Sequence, residues 1–293
     1  MPVRLPITGG EDTGSNRLWD ATDMDAVVID QQFHKHYPQF NVPYSSPPDV
    51  ITALRYIDIG PGDNTIGIRG SAKSVGGNNF TLWIESWGDG RMCDNGCTWL
   101  AITPGDRRYR AGEYRIDKQS LRADLPVKFD PEFPVGTNVK VVAWLSGFQM
   151  AVGKDWDLSV IAEEPTPDGF KLTALAQHAA LHEATISWFA YDTTDRHIQS
   201  GCFGATEPAP AGRTFPDRVF KTGQASFSPH FTSIPRVIHG ISSLRAGSKG
   251  VISLELNKEP VATREGFPWS MASWGASSCK KLGATYVAIC DTV

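Results

Sequence analysis

Long apolar runs are missing from this 293-residue chain, and none approaches the roughly 20 residues a membrane-spanning helix needs. Met1 to Gly14 carries Pro, Gly and acidic residues where a secretion leader has its apolar segment. The expectation is a soluble protein, cytoplasmic or exported by a non-classical route. Basic charge is scarce too: 28 Lys and Arg face 32 Asp and Glu, for a formal net charge of -4 and a pI of about 6.0. That balance lacks the positive field that phosphate backbones require, so nucleic acid is not an expected partner. Cysteines number five (Cys93, Cys97, Cys202, Cys279 and Cys290), an odd count in a chain large enough to fold without staples. Reduced thiols are expected over a disulfide framework.

Recognisable catalytic signatures are also absent. There is no Ser-His-Asp motif and no carboxylate pair in a known setting, and the glycine-rich turns lack the Lys-Ser/Thr of a phosphate loop. His178-Ala-Ala-Leu-His182-Glu183 resembles a metal-binding pair, yet it has neither the HExxH order nor a third ligand. An enzyme is therefore the third-ranked reading, and no metal or cofactor is expected.

What the chain does have is a repeat. With Phe40, Phe129 and Phe227 as origins, Pro48, Thr137 and Pro235 stand eight residues on, each followed two later by a valine: Val50, Val139 and Val237. A second anchor lies 40, 41 and 40 residues from the origin, in Asn79-Phe80, Gly169-Phe170 and Gly266-Phe267. A third lies at 59 in each copy: Trp99-Leu100-Ala101-Ile102, Trp188-Phe189-Ala190-Tyr191 and Tyr286-Val287-Ala288-Ile289. Phe80-Leu82-Ile84 and its counterparts alternate apolar side chains, as a strand with one buried face does. The third anchor is apolar on both alternating sets, which suits a strand covered on two sides.

Gly- and Pro-rich turns separate these runs, so the expected fold is all-β: three tandem antiparallel six-stranded β-sandwich modules. The expected division is an arm or extra strand over 1–24, then modules over 25–103, 113–192 and 213–293. Connectors are expected near Pro104 to Gly112 and Thr193 to Gly212.

The third copy reads Phe231-Thr-Ser-Ile-Pro-Arg-Val-Ile-His-Gly-Ile-Ser-Ser-Leu244, then Gly266-Phe267, Ser273-Trp274-Gly275 and Tyr286-Val-Ala-Ile289. The first reads Pro48-Asp-Val-Ile-Thr-Ala-Leu54, Phe80, Ser86-Trp87-Gly88-Asp89 and Trp99-Leu-Ala-Ile102. These resemble the H-type lectin domain of snail agglutinins and of the C-terminal part of discoidins. The second copy is weaker, with Gln177-His178 where the others have Trp-Gly.

The resemblance implies trimers of six-stranded sandwiches, with sugar sites near module interfaces and a leaning to galactose or N-acetylgalactosamine. Three modules in one chain would then pack around a pseudo-threefold axis. It also implies an acidic residue early in each module, the region after the Gly-Phe strand, and a basic residue on a middle strand. The first maps to Asp30, Asp117 and Asp217, which lie 10, 12 and 10 residues before the origins. The second maps to Trp87 with Asp89, Gln177 with His178, and Trp274, while Arg69 lies near the basic position in module one alone. A tryptophan there is as readily core as platform, and an aspartate at a strand junction commonly caps a turn. The leading reading is a non-catalytic protein that binds glycans through several sites. The alternative is a protein-binding scaffold whose sugar sites have decayed.

Overall fold

The alternating apolar runs form strands, and no helix occurs among the described residues of this computed structural model, which cover 7–13, 31–41, 43–60, 62–90, 92–116, 122–152, 155–177, 181–205, 219–247, 252–257, 260–274 and 278–290. Accordingly, none of its helices is long and apolar enough to cross a membrane. Module one supplies β1 (Ile7–Thr13), β2 (Gln31–His36), β3 (Asp49–Ile59), β4 (Thr65–Lys73), β5 (Thr81–Gly88) and β6 (Met92–Ile102). Module two supplies β7 (Tyr109–Ile116), β8 (Arg122–Lys128), β9 (Val139–Ala151), β10 (Trp156–Thr166), β11 (Gly169–Gln177) and β12 (Leu181–Asp192). Module three supplies β13 (Ile198–Ala205), β14 (Val219–Ser226), β15 (Arg236–Gly247), β16 (Ile252–Leu256), β17 (Gly266–Ser273) and β18 (Ser278–Ile289).

Strands therefore occur in stretches that read as connectors, since β7 and β13 lie partly or wholly within them. β1, inside the first 24 residues, pairs with β6 as β7 pairs with β12 and β13 with β18. In each pair a glycine faces the anchor aromatic of the last strand: Gly10 opposite Trp99, Gly112 opposite Trp188, Gly201 opposite Tyr286. A Cβ at Gly112 would sit 2.7 Å from the Trp188 ring and one at Gly201 2.8 Å from the Tyr286 ring, so these glycines make room for the ring.

The three anchors of each copy meet in one core. Phe40, Phe80 and Trp99 lie 5.2–5.8 Å apart by ring centroid. Phe129, Phe170 and Trp188 lie 5.3–5.7 Å apart, and Phe227, Phe267 and Tyr286 4.9–6.3 Å apart. The phenylalanines of the second anchor, Phe80, Phe170 and Phe267, are 1%, 5% and 0% exposed, equivalent places in three sandwiches. Rings at these separations add about 0.5–1.5 kcal/mol per pair beyond the area they bury.

Each sandwich is two three-stranded halves, and every half continues into a neighbouring module. The six-stranded sheets run β1-β6-β3-β16-β17-β14, β2-β5-β4-β9-β12-β7 and β13-β18-β15-β10-β11-β8. The seams are the pairs β4 with β9, β10 with β15, and β16 with β3, so module one joins two, two joins three, and three returns to one. This closed pairing leaves none of the six seam strands as a free edge.

The second apolar face of the last strands is explained by that ring of modules. Leu100, Phe189 and Val287 turn from the module cores into a shared core with Ile51, Val142, Trp144 and Ile238. Ala53, Trp144 and Gly240 hold equivalent positions, being paired with Thr98, Ser187 and Thr285, the residues just before the anchors. A Cβ on Gly240 would collide with the Ala53 Cβ and reach Trp144 Cγ at 3.2 Å. One large side chain thus fills the centre because the other two positions are nearly empty. Polar links cross here too: Thr98 Oγ1 donates to the His239 carbonyl at 2.7 Å, Thr285 Oγ1 to that of Ala143 at 2.9 Å, and Trp144 Nε1 to that of Thr52 at 3.0 Å.

Candidate functional site

The closed pairing brings the sequence candidates to the seams, where strands of two modules share a face. At the seam of modules one and two the register aligns Trp87, Gly67, Gln149 and Glu183 in one row and Glu85, Arg69, Gly147 and Thr185 in the next. Gly67 and Gly147 are required by their neighbours. A Cβ on Gly67 would run into the Trp87 indole, and one on Gly147 would lie 2.8 Å from the Arg69 Cβ. Trp87 therefore lies flat across β4, half-buried, with the Arg69 guanidinium 5.4 Å from its ring centroid.

Arg69 is held by both modules. Its Nε donates to Glu85 Oε1 at 2.9 Å, its Nη2 meets the same oxygen, and its Nη1 donates to Glu183 Oε1 at 3.3 Å. Arg115 from β7 completes the chain, its Nη2 donating to Glu183 Oε2 at 2.9 Å. The Glu85 and Glu183 side chains are only 16% and 12% exposed, and each lies in an ion pair with one or both of the two arginines. The cleft lined by Arg69, Glu85, Ser86, Trp87, Arg115 and Glu183 has a volume of about 190 Å³. That is below the roughly 300–1,000 Å³ of sites for drug-sized ligands and suits a single small polar ring. An apolar ring face, two carboxylates and two fixed cations on one wall can stack a pyranose and satisfy its hydroxyls.

The seam of modules three and one is built differently. Trp274 pairs in the fold with Ser253, its N–H donating to that carbonyl at 3.3 Å, and is 8% exposed with its ring against Tyr56 at 5.5 Å. Ser253 Oγ donates to Asp58 Oδ1 at 2.8 Å, and Asn95 Oδ1 accepts from the Asp58 N–H at 3.1 Å. Burial first, with Asp58 and Glu255 nearby, pushes the Asp94 carboxyl above its ordinary range. Arg55, wholly buried, donates to Glu255 at 3.2 Å and to the Leu256 carbonyl at 2.9 Å. At the seam of modules two and three the equivalent row is Gln177, Asp157, Arg245 and Lys281, with no aromatic residue in it. Asp157 faces Arg245 at 3.8 Å, and Lys280 pairs with Asp155.

Of the residues expected from sequence, Trp87, Gln177 and Trp274 thus occupy one equivalent seam position, and Arg69 stands beside the first. Asp89 has another duty: its carboxylate accepts from the Asn64 N–H at 2.7 Å and the Thr65 N–H at 3.3 Å, bonds that lower its pKa and tie the β5–β6 turn to the start of β4. Asp30, Asp117, Asp217 and His178 lie outside the described residues. Glu85, Gln149, Glu183 and Arg115 were not visible as site residues. Glu183, and Arg115 through it, reach Arg69 only by the register between modules, whereas Glu85 reaches it by the pairing of β5 with β4.

None of the five cysteines forms a disulfide among the described residues. Among the described residues, no three His, Cys, Asp or Glu are grouped to hold a metal. The family model of the H-type lectin domain matches residues 36–102 and 222–289. No curated protein matches the chain, and no solved structure does.

Proposed function

The chain belongs to the H-type lectin domain family, whose domains bind carbohydrate, and from that premise we propose a non-catalytic, multivalent glycan-binding protein of galactose or N-acetylgalactosamine type. The observation that carries the proposal is the seam of modules one and two. There Trp87 offers a ring, and Arg69, Glu85 and Glu183 converge beside it from two modules. Indole stacks on the apolar face of a galactose-type ring, and the carboxylates accept from its hydroxyls.

The three seams are ranked by their chemistry. The first has a half-buried tryptophan and a cleft; the third has a tryptophan packed down on Tyr56 among carboxylates; the second has no aromatic platform. Linking even two weak sites on one chain multiplies apparent affinity by roughly 10² to 10⁴ when a target presents both sugars. The ring of modules is read as a covalent counterpart of a trimer, its three seams presented by one chain.

A glycan array probed with the purified protein tests the proposal. Binding concentrated on terminal galactose or N-acetylgalactosamine, and inhibited by the free sugar, is expected. No glycan bound on a broad array would favour the protein-binding scaffold, which the divergent seam of module two otherwise supports.

A further inference from the structure

Two strand positions along from Trp87, on the same face of β5, stands a second tryptophan that the seam does not use. Trp83 is half-buried, and four residues at about 3.3 Å each place it about 13 Å from Trp87. Phe33 of β2, 51% exposed, stacks on it with ring centroids 4.8 Å apart. Lys35 of β2 and Lys73 of β4, both exposed, hold their ammonium groups 4.4 Å and 4.3 Å from its centroid. Neither lysine has an ion pair among the described residues, and the Trp83 indole N–H meets no acceptor there. Two cations gathered on one ring without a carboxylate leave a positive charge that an anion would neutralise.

The same positions in the other modules show that the fold does not require this. In module two the cross-strand pair of Lys35 and Trp83 becomes Asp124 and Thr173, and Lys73 becomes Glu163. There the Thr173 hydroxyl lies 2.8 Å from Asp124 Oδ1 and 2.9 Å from Glu163 Oε2. In module three the pair is Thr222 and Ser270. The charge is thus reversed in module two, and the cross-strand pair carries none in module three.

We infer that the Phe33–Trp83 shelf, with Lys35 and Lys73, is a second binding site on module one that takes an acidic sugar, a pyranose bearing a sulfate or carboxylate group. The inference rests on the carbohydrate reading for its sugar, whereas its selection of an anion rests on the two lysines. A chain seated at Trp87 would run along β5 and set an acidic residue on the shelf, so acidic glycans would be preferred over their neutral counterparts.

Titration of N-acetylgalactosamine 6-sulfate, a glucuronate-terminated disaccharide, neutral N-acetylgalactosamine and inorganic sulfate into the full chain and into Lys35→Gln, Lys73→Gln and the double variant tests this. Exposed lysines can be replaced without unfolding, and circular dichroism verifies it. Both acidic sugars, or one of them, should bind the wild type more tightly than the neutral sugar, identifying sulfate or carboxylate as the preferred source. Each lysine substitution should lower that affinity by up to about five-fold, and added salt should weaken it. Neutral binding, which reads the Trp87 seam, should not change.

Acidic binding equal in the wild type and the double variant overturns the shelf, as does inorganic sulfate binding as well as the sulfated sugar, an adventitious ion only. Neutral binding lost from the wild type with lysine-dependent acidic binding retained would overturn the seam and leave the shelf standing.

Discussion

Trp87 and Trp274 share a position in the repeat, yet their surroundings differ in ways that predict different consequences. Trp87 lies over Gly67 beside a cleft, so Trp87→Ala should remove the stacking face and leave Arg69 without its ring. The expected loss is about 1–3 kcal/mol, roughly five- to 150-fold in single-site affinity, measured by calorimetric titration of N-acetylgalactosamine. Trp274, 8% exposed against Tyr56, should behave as a core residue, so Trp274→Ala should lower the melting temperature more than it lowers sugar affinity. The reverse order would overturn the ranking of the two seams. A second residue-scale prediction concerns acid. Burial first, then the neighbouring Arg55, pushes His239 down to about 3 from an ordinary 6.5, so the folded protein holds it neutral. The unfolded chain binds the extra proton between those values. The stability His239 contributes is therefore present above pH 6.5 and lost as pH falls toward 3, at up to about 1.4 kcal/mol per pH unit. His239→Gln should flatten the slope of melting temperature against pH across that window whatever its absolute stability. An unchanged slope would assign the acid sensitivity elsewhere.

At the scale of strands, each central strand carries an extra residue at an equivalent place: Arg55 in β3, Ser146 in β9 and Ser242 in β15. Such bulges re-aim the side chains that follow. In module one the bulged residue is an arginine that reaches Glu255 and Leu256 across the seam. Arg55→Ser, which installs the residue of the other two modules, should cost about 3–5 kcal/mol in denaturant unfolding by leaving Glu255 without its buried partner. A loss under 1 kcal/mol would show that the pair does not clamp modules one and three. How much of this was legible follows from what each element writes into sequence. The anchors were visible because core aromatics such as Phe80, Phe170 and Phe267 recur at nearly fixed spacing. The strands β7 and β13 were hidden, and β1 was left open as an arm or a strand, because their repeated feature is a glycine opposite an anchor aromatic, Gly10, Gly112 and Gly201, which resembles a loop signal. Trp87 and Arg69 could be placed by their position in the module. Glu183 and Arg115 could not, since their approach to Arg69 is set by how β4 meets β9.

The whole molecule is a closed ring of three modules, each sheet completed by its neighbour, with Trp144 filling the centre left by Ala53 and Gly240. Closure predicts that no module is separable. A chain cut after Ala205 would leave β3 and β10 without their seam partners β16 and β15, and should aggregate or fail to show a cooperative melt. A soluble, cooperative two-module fragment would contradict the ring. Gly240→Ala should destabilise the full chain by about 1–3 kcal/mol through its collision with Ala53. Sugar is expected to bind between modules and not within one. The most direct test is a double-mutant cycle joining Trp87→Ala in module one to Glu183→Gln in module two, read by calorimetric titration of N-acetylgalactosamine with folding checked for each variant. Each single variant should weaken binding and the double variant should lose less than the sum, a coupling of at least about 0.5 kcal/mol. A Glu183→Gln protein that binds as tightly as the wild type, with only Trp87→Ala impaired, would contradict binding between modules.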